Sequence, residues 1–160
     1  MKKNMEIWDL YDRNRVKIGE HVRGEAMPEG GYHLSVYVWI RNDEGKYLMT
    51  QRSEEKTHPL KWECVGGCAL KGEDSLSAAL REVAEETGIV LRGESGELLD
   101  TKVRGCELLD VWLFANNGDA DLSRALTKEV AQARWMTKEE IEVLEWEGNT
   151  APWHRELRFF

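Results

Sequence analysis

The chain has 160 residues, with 22 Lys plus Arg against 30 Asp plus Glu, a formal charge of −8 and 41% hydrophobic residues. That length suits one domain, residues 1–160, with a core of its own, and the composition is that of a soluble globular protein. The negative balance argues against non-specific grip on a nucleic acid polymer or an anionic membrane, though a bound metal can still bring a phosphorylated metabolite to an acidic protein.

No apolar run reaches membrane-spanning length, and the start MKKNMEIWDLYD lacks the apolar segment of a signal peptide. Three cysteines, Cys64, Cys68 and Cys106, then read as reduced thiols in a cytoplasmic setting. Without a CxxC or a pair of histidines they make no zinc site.

In chain order, residues 5–20 read as two short strands around the turn Asp12-Arg13-Asn14, followed by a polar link, 21–31, that ends at Gly30-Gly31. From Tyr32 to Ile40 the residues alternate and both faces carry bulk, which predicts a central strand. Asn42 to Gly45 turns the chain into a second strand, 46–52, as a hairpin. A charged loop, 53–60, and a short strand, 62–66, lead to the glycine pair Gly66-Gly67. Extended segments follow at 89–91 and 98–103, with a strong strand at 107–115. A polar excursion, 116–127, precedes a strand at 133–136. Thr137 caps a helix over 138–146 with Glu140 at the capping-box position, and a last helix is expected after Pro152.

The organising stretch is Gly67 to Ile89. From Asp74 or Ser75, either a suitable N-cap, Leu76, Ala79, Leu80, Val83 and Thr87 recur at helical spacing, and Gly88 supplies a left-handed stop. Glu82, Glu85 and Glu86 stand at i, i+3 and i+4 and share one face, roughly 140° from the apolar stripe at 100° per residue. Three carboxylates that close repel one another unless a cation sits among them. Oxygen ligands favour Mg²⁺ first and Mn²⁺ second, ions that keep waters and recruit phosphate oxygens. Arg81, one turn before Glu85, is placed to hold that carboxylate.

Gly67, five residues, Glu73, seven residues, then REVAEETGI resembles the Nudix box at every position. Seven fixed residues at about one in twenty each amount to on the order of one chance in 10⁹ per window. The resemblance implies an α/β fold, a Nudix-type α/β/α sandwich with a mixed β-sheet and the box as a loop-helix-loop active site. It implies that Glu82, Glu85 and Glu86 bind the divalent cation, that the Gly67 carbonyl adds a ligand, and that Glu73 and Arg81 support the cluster. One of the glutamates would act through water as general base. Glu129 occupies the place of a further acidic residue before the last strand, against the alternative of a solvated loop carboxylate.

The activity implied is Mg²⁺-dependent cleavage of a diphosphate linkage in a nucleoside diphosphate-X or a related small diphosphate. A non-catalytic sensing module on the same scaffold is the other class, disfavoured by the complete glutamate set. A narrower resemblance, carried by EIWDLYDRNRVKIGE, RGEAMPEGGYHLSVYVWI and QRS, is to the branch that contains isopentenyl-diphosphate isomerases. Here Gly66 falls at the isomerase cysteine position, and a glycine has no proton to donate.

The remaining candidates each carry two readings. Arg52 is a phosphate clamp by its planar fork, or a surface salt bridge. Trp62 stacks on a base, or belongs to the core. Gly66 lets a ligand approach the backbone, or makes a tight turn. Cys68 faces the site or packs beneath it, and His33 contacts substrate or is packed in its strand. Trp146, Trp153, Phe159 and Phe160 line a homodimer interface or close the core.

Overall fold

The computed structural model describes residues 5–160; what the sequence suggests about residues 1–4 lies outside the described residues. Strands β1 (Ile7–Tyr11) and β2 (Lys17–Val22) form an antiparallel hairpin of their own. Its turn is closed by the Asp12 carboxylate, which accepts from the backbone N–H of Asn14 at 2.8 Å and of Val16 at 3.0 Å. This local bonding is why Asp serves at such a turn.

The main sheet has seven strands: β3 (His33–Arg41), β4 (Tyr47–Arg52), β5 (Trp62–Glu63), β6 (Val65–Cys68), β7 (Gly96–Arg104), β8 (Glu107–Ala115) and β9 (Val130–Met136). β3 runs parallel to β8 along its whole length, and every other pair is antiparallel, so the sheet is mixed.

The expected hairpin at 32–52 survives only at its turn. There Asn42 caps the bend, accepting from Glu44 and Lys46, but β3 and β4 pair only at Arg41 opposite Tyr47. The two strands then splay. The edge of β3 is taken by β6, from Ser35 opposite Cys68 to Val38 opposite Val65, while β5 and β9 flank β4 on its two edges. The single strand expected over 62–66 is therefore two pieces on opposite sides of the split, joined at Cys64.

Two cores lie on the two faces of the sheet. Alternation along β3 sends Leu34, Val36, Val38 and Ile40 to one face and Trp39 to the other. The first face is covered by α1 (Ser75–Thr87), through Ala78, Ala79 and Val83. The second is covered by α2 (Lys138–Trp146) and α3 (His154–Leu157), through Ile141 and Leu157. The layering is α/β/α, and each large apolar side chain so buried contributes roughly 1.5–3 kcal/mol.

The caps are local and follow the sequence. Asp74 accepts from Ser77 N at 2.7 Å, Gly88 closes α1 at φ 76°, and Thr137 and Glu140 make a reciprocal capping box. Among the late aromatics, Phe160 stacks on Tyr47 at 4.1 Å between centroids and packs on the second core, while Phe159 meets the edge of Trp39 but stays 40% exposed. Trp146 is exposed. No helix among the described residues is long and apolar enough to cross a membrane.

Candidate active site

The site lies in the split between β3 and β4. α1 presents Glu82 and Glu85 from one side with Glu86 buried next to Glu82, β6 supplies Gly66 and Gly67, and β4, β5 and the segment entering β9 supply Arg52, Glu63 and Glu129 from the other. The excursion 116–127 lies over the end of α1. Leu126 N donates to the Glu85 carbonyl at 2.8 Å, and Thr127 lines the cleft.

Arg81 is the hub. Its Nε and Nη2 donate to Glu73 at 2.7 and 2.9 Å, Nη1 donates to Glu82 and Glu85 at 3.0 Å each, and Nη2 also reaches the Cys68 carbonyl at 3.0 Å. Glu73 in turn accepts from Leu70 N at 2.7 Å, so one guanidinium ties the loop to the helix and orients two carboxylates of the box. Bidentate and charge-assisted contacts of this kind are the strong ones.

The third carboxylate is different. Glu86 is 3% exposed and receives no hydrogen bond among the described residues; its charged surroundings are Glu82, Lys56, Glu63 and Glu129. Burial and the neighbouring Glu82 push its carboxyl well above the ordinary range. Burial likewise pushes Glu82 up to about 7, against the attraction of Arg81. Such groups keep protons at neutral pH unless another cation arrives.

Gly67 makes this packing feasible. A Cβ there would lie 2.3 Å from the Glu82 carboxyl carbon and from one of its oxygens. Gly66 is crowded on its other side, where a Cβ would meet the Tyr37 ring at 2.6 Å.

Among the described residues no three His, Cys, Asp or Glu side chains are gathered tightly enough to enclose a metal ion unaided. The donor set fits an ion that takes the rest of its shell from water and substrate phosphate, as Mg²⁺ does. Glu82 and Glu85 line the cleft and Glu86 lies buried next to Glu82, so these three carboxylates would hold such an ion.

Two adjoining cavities meet at the glycine pair. The inner one, about 100 Å³, is bordered by Glu82, Glu85, Arg81, Cys68 and Glu129, so Glu129 does arrive beside the box. Its carboxylate is 3.2 Å from Lys56 Nζ. The outer one, about 330 Å³, is bordered by Tyr37, Arg52, Thr57, Glu63 and Trp153. Arg23, Lys56, Gly66 and Gly67 border both.

Arg52 reaches the outer cavity but is buried and engaged. It pairs with Glu63 at 2.9 Å, donates to the Thr57 carbonyl at 2.7 Å and to Thr57 Oγ1 at 3.1 Å, and lies 5.0 Å from the Trp153 ring centroid. Neither sequence reading foresaw this; its partner is a buried carboxylate rather than a surface one. Trp62 is 7% exposed and packs in the second core, the core alternative of its two readings. Cys68 borders the inner cavity with its thiol 3.7 Å from Ser35 Oγ, and burial pushes it up to about 11. His33 bonds Ser35 at 3.4 Å and stacks on Trp8 at 4.5 Å, packed within its surroundings.

Sequence reasoning missed Arg23, Tyr37, Glu63 and Trp153. The only sequence signal for Trp153 was its place in an aromatic-rich tail; Arg23 lay in a segment read as a polar link.

A NUDIX domain model matches residues 31–157. An uncharacterized Nudix hydrolase of Listeria monocytogenes is 38% identical over 154 residues, spanning 93% of this chain and 90% of that protein. An isopentenyl-diphosphate Delta-isomerase of Pectobacterium atrosepticum is 34% identical over 82 residues, 50% of this chain and 46% of its own. Among solved structures, a Deinococcus radiodurans protein superposes with a TM-score of 0.75 at 19% identity, covering 96% of this chain and all of that one, a likeness of fold. A domain match over most of the chain, and a relative this similar along nearly its whole length, agree with what the folded box already indicates: the chain belongs to the Nudix hydrolase family.

Proposed function

We propose that residues 1–160 act as one Nudix unit, a Mg²⁺-dependent hydrolase (Mn²⁺ serving in its place) that cleaves the diphosphate linkage of a nucleoside diphosphate-X or a related small diphosphate. The observation that carries this is a cleft lined by the Glu82 and Glu85 carboxylates together with Arg23 and Lys56, with Glu86 buried next to Glu82. The carboxylates need a cation, and the two basic residues suit an anion, so the cleft has complementary places for a metal and a diphosphate.

In this reading Glu82, Glu85 and Glu86 hold the ion, with the Gly67 backbone alongside. A bound ion supplies positive charge to the phosphate oxygens and lowers the pKa of attacking water. Arg81 keeps Glu82 and Glu85 aimed into the cleft. Glu129 or a box glutamate takes the proton from water. Gly66 gives the substrate bare backbone to lie against, and Arg52 borders the outer cavity while holding its loop. Three cysteines that are all free fit a cytoplasmic setting.

The test is phosphate release from a panel of nucleotide sugars, dinucleotides, nucleoside triphosphates and isoprenoid diphosphates with Mg²⁺. Glu86→Gln and Glu82→Gln should each abolish turnover with the fold intact; undiminished metal-dependent hydrolysis in both removes these residues from the mechanism. Isomerisation is the competing chemistry. With Gly66 where that reaction needs an acid, isopentenyl diphosphate in deuterated water should take up no deuterium, and uptake would overturn the hydrolase reading.

A further inference from the structure

One wall of the cleft comes from outside the matched domain, which begins at residue 31. Arg23 directly follows β2, and its backbone N–H donates to the Glu6 carbonyl at 3.0 Å, which fixes the open end of the N-terminal hairpin. Its Nη1 donates to Glu6 Oε2 at 2.8 Å, and its guanidinium carbon lies 5.9 Å from the ring centroid of the buried Trp8. No other acceptor among the described residues takes its remaining N–H groups, and it borders both cavities.

The hairpin that carries Arg23 is fastened to the box itself. Gly72 N donates to the Asp9 carboxylate at 2.9 Å, Lys71 N to the Ile7 carbonyl at 2.8 Å, and Lys71 Nζ pairs with Glu20 at 2.7 Å. From the turn, Arg15 forms a two-pronged contact with the buried Asp110 of β8. The position of Arg23 relative to Glu82 is thus set by several independent bonds rather than by a loose arm.

Lys56 is the other cation that borders both cavities. Its loop is held by Arg52 through Thr57, and Ser53 N donates to the Glu129 carbonyl at 3.0 Å. The bare backbones of Gly66 and Gly67 line the same two cavities as these cations. Both cations line both cavities, and the chemistry suited to a passage so lined is a chain of phosphates.

We infer that Arg23 binds the diphosphate of the substrate together with Lys56, so that the N-terminal hairpin is a working part of the active site. The inference rests on the diphosphate reading above. It assigns Arg23 a contact with substrate that the Glu6 pair alone would not require.

Glu6 supplies the discriminating control, because Arg23→Gln and Glu6→Gln break the same ion pair. Inorganic pyrophosphate with Mg²⁺, titrated into the whole protein by calorimetry, is the probe. Arg23→Gln should weaken binding at least tenfold, about the worth of one charge-assisted hydrogen bond. Arg23→Lys should fall between it and the wild type. Glu6→Gln, which removes a negative charge from the cleft and frees the guanidinium, should bind pyrophosphate more tightly than the wild type.

An Arg23→Gln protein that binds within tenfold of wild type overturns the inference. So does a Glu6→Gln protein that is weakened alongside it, the signature of a purely structural pair. If the wild type binds no pyrophosphate at all, the diphosphate reading itself falls and takes this one with it. Melting curves of all four proteins show that the hairpin is still in place.

Discussion

Gly67→Ala is the sharpest perturbation of this site, because it adds one methyl group and changes no charge. The new Cβ would stand 2.3 Å from the Glu82 carboxyl carbon and one oxygen and 2.6 Å from the other, where ordinary contact begins at 3.4 Å. The carboxyl must therefore retreat by about 1 Å toward the inner cavity that it borders, away from the position in which Arg81 holds it. Moving it strains the 3.0 Å bond to Arg81, which costs about 1–2 kcal/mol of stability. If Glu82 holds the ion as proposed, a displacement of that size costs on the order of 10² in turnover. Stability from urea unfolding and kcat/KM as a function of Mg²⁺ concentration separate the two effects. Gly66→Ala is the internal comparison, since its Cβ meets the Tyr37 ring at 2.6 Å; it should lose about 1–3 kcal/mol of stability by overpacking with a smaller loss of metal response. A Gly67→Ala protein with wild-type kcat/KM, or one whose activity falls only with its folded fraction, refutes this account of why glycine stands there.

Arg52→Met should destabilise the protein by about 3–5 kcal/mol, because it leaves Glu63 buried and uncompensated, whereas Arg52→Met with Glu63→Met should recover most of that loss in urea unfolding. Thr137→Ala removes one half of the capping box on α2 and should cost about 1 kcal/mol, read from the shift in thermal midpoint. For pH, Glu82 is the informative group: its folded value of about 7 lies above the ordinary 4.5, so its charged form is disfavoured by folding. Its contribution to the stability of metal-free protein is therefore present below about 4.5 and lost as pH rises to about 7. His33 and His154, held low by burial, act in the opposite direction, so the comparison is between wild type and Glu82→Gln, melted at pH 5 and pH 7.5 in chelator. The wild type should lose stability relative to the variant on raising the pH, and added Mg²⁺ should reverse that loss; a constant difference would show that the carboxyl is not shifted.

What could be read from the sequence is what is decided locally. α1 begins at an Asp74 cap and ends at Gly88 because side-chain capping and a left-handed glycine act within one turn of the chain. Thr137 and Glu140, three residues apart, are just as local. β8 has the bounds of the strand read from its apolar run, 107–115. Period-two alternation identifies a strand but not its partner. Hence the reading of 32–52 as a hairpin gave no hint that β6 would take the edge of β3 and open the split that holds the site. Arg52 shows the same limit for a side chain. A charged residue at the end of a strand reads as exposed, and only the pairing of β4 with β5 brings Glu63 beneath it. Arg23 enters the cleft through bonds from Asp9, Glu20 and Arg15 to residues 50 to nearly 100 positions away, which no window along the chain can register.

The box cluster is an electrostatic arrangement that folding alone leaves incomplete. Glu73, Glu82, Glu85 and Glu86 are four carboxylates, and Arg81 brings a single positive charge, shared among Glu73, Glu82 and Glu85. When all are ionised, three negative charges remain uncompensated, and the most deeply buried carboxylate is the one that Arg81 does not touch. A protein selected only for stability would replace Glu86 by an apolar or amide side chain, because a carboxyl whose burial raises its pKa must take up a proton to fold at neutral pH, and that costs stability. Glu86→Gln should accordingly stabilise the metal-free fold at neutral pH while ending turnover. That opposition between stability and activity distinguishes a carboxylate kept for a cation from one kept for the fold. The same substitution at Glu73, which closes the loop onto Leu70 and Arg81, should lower both.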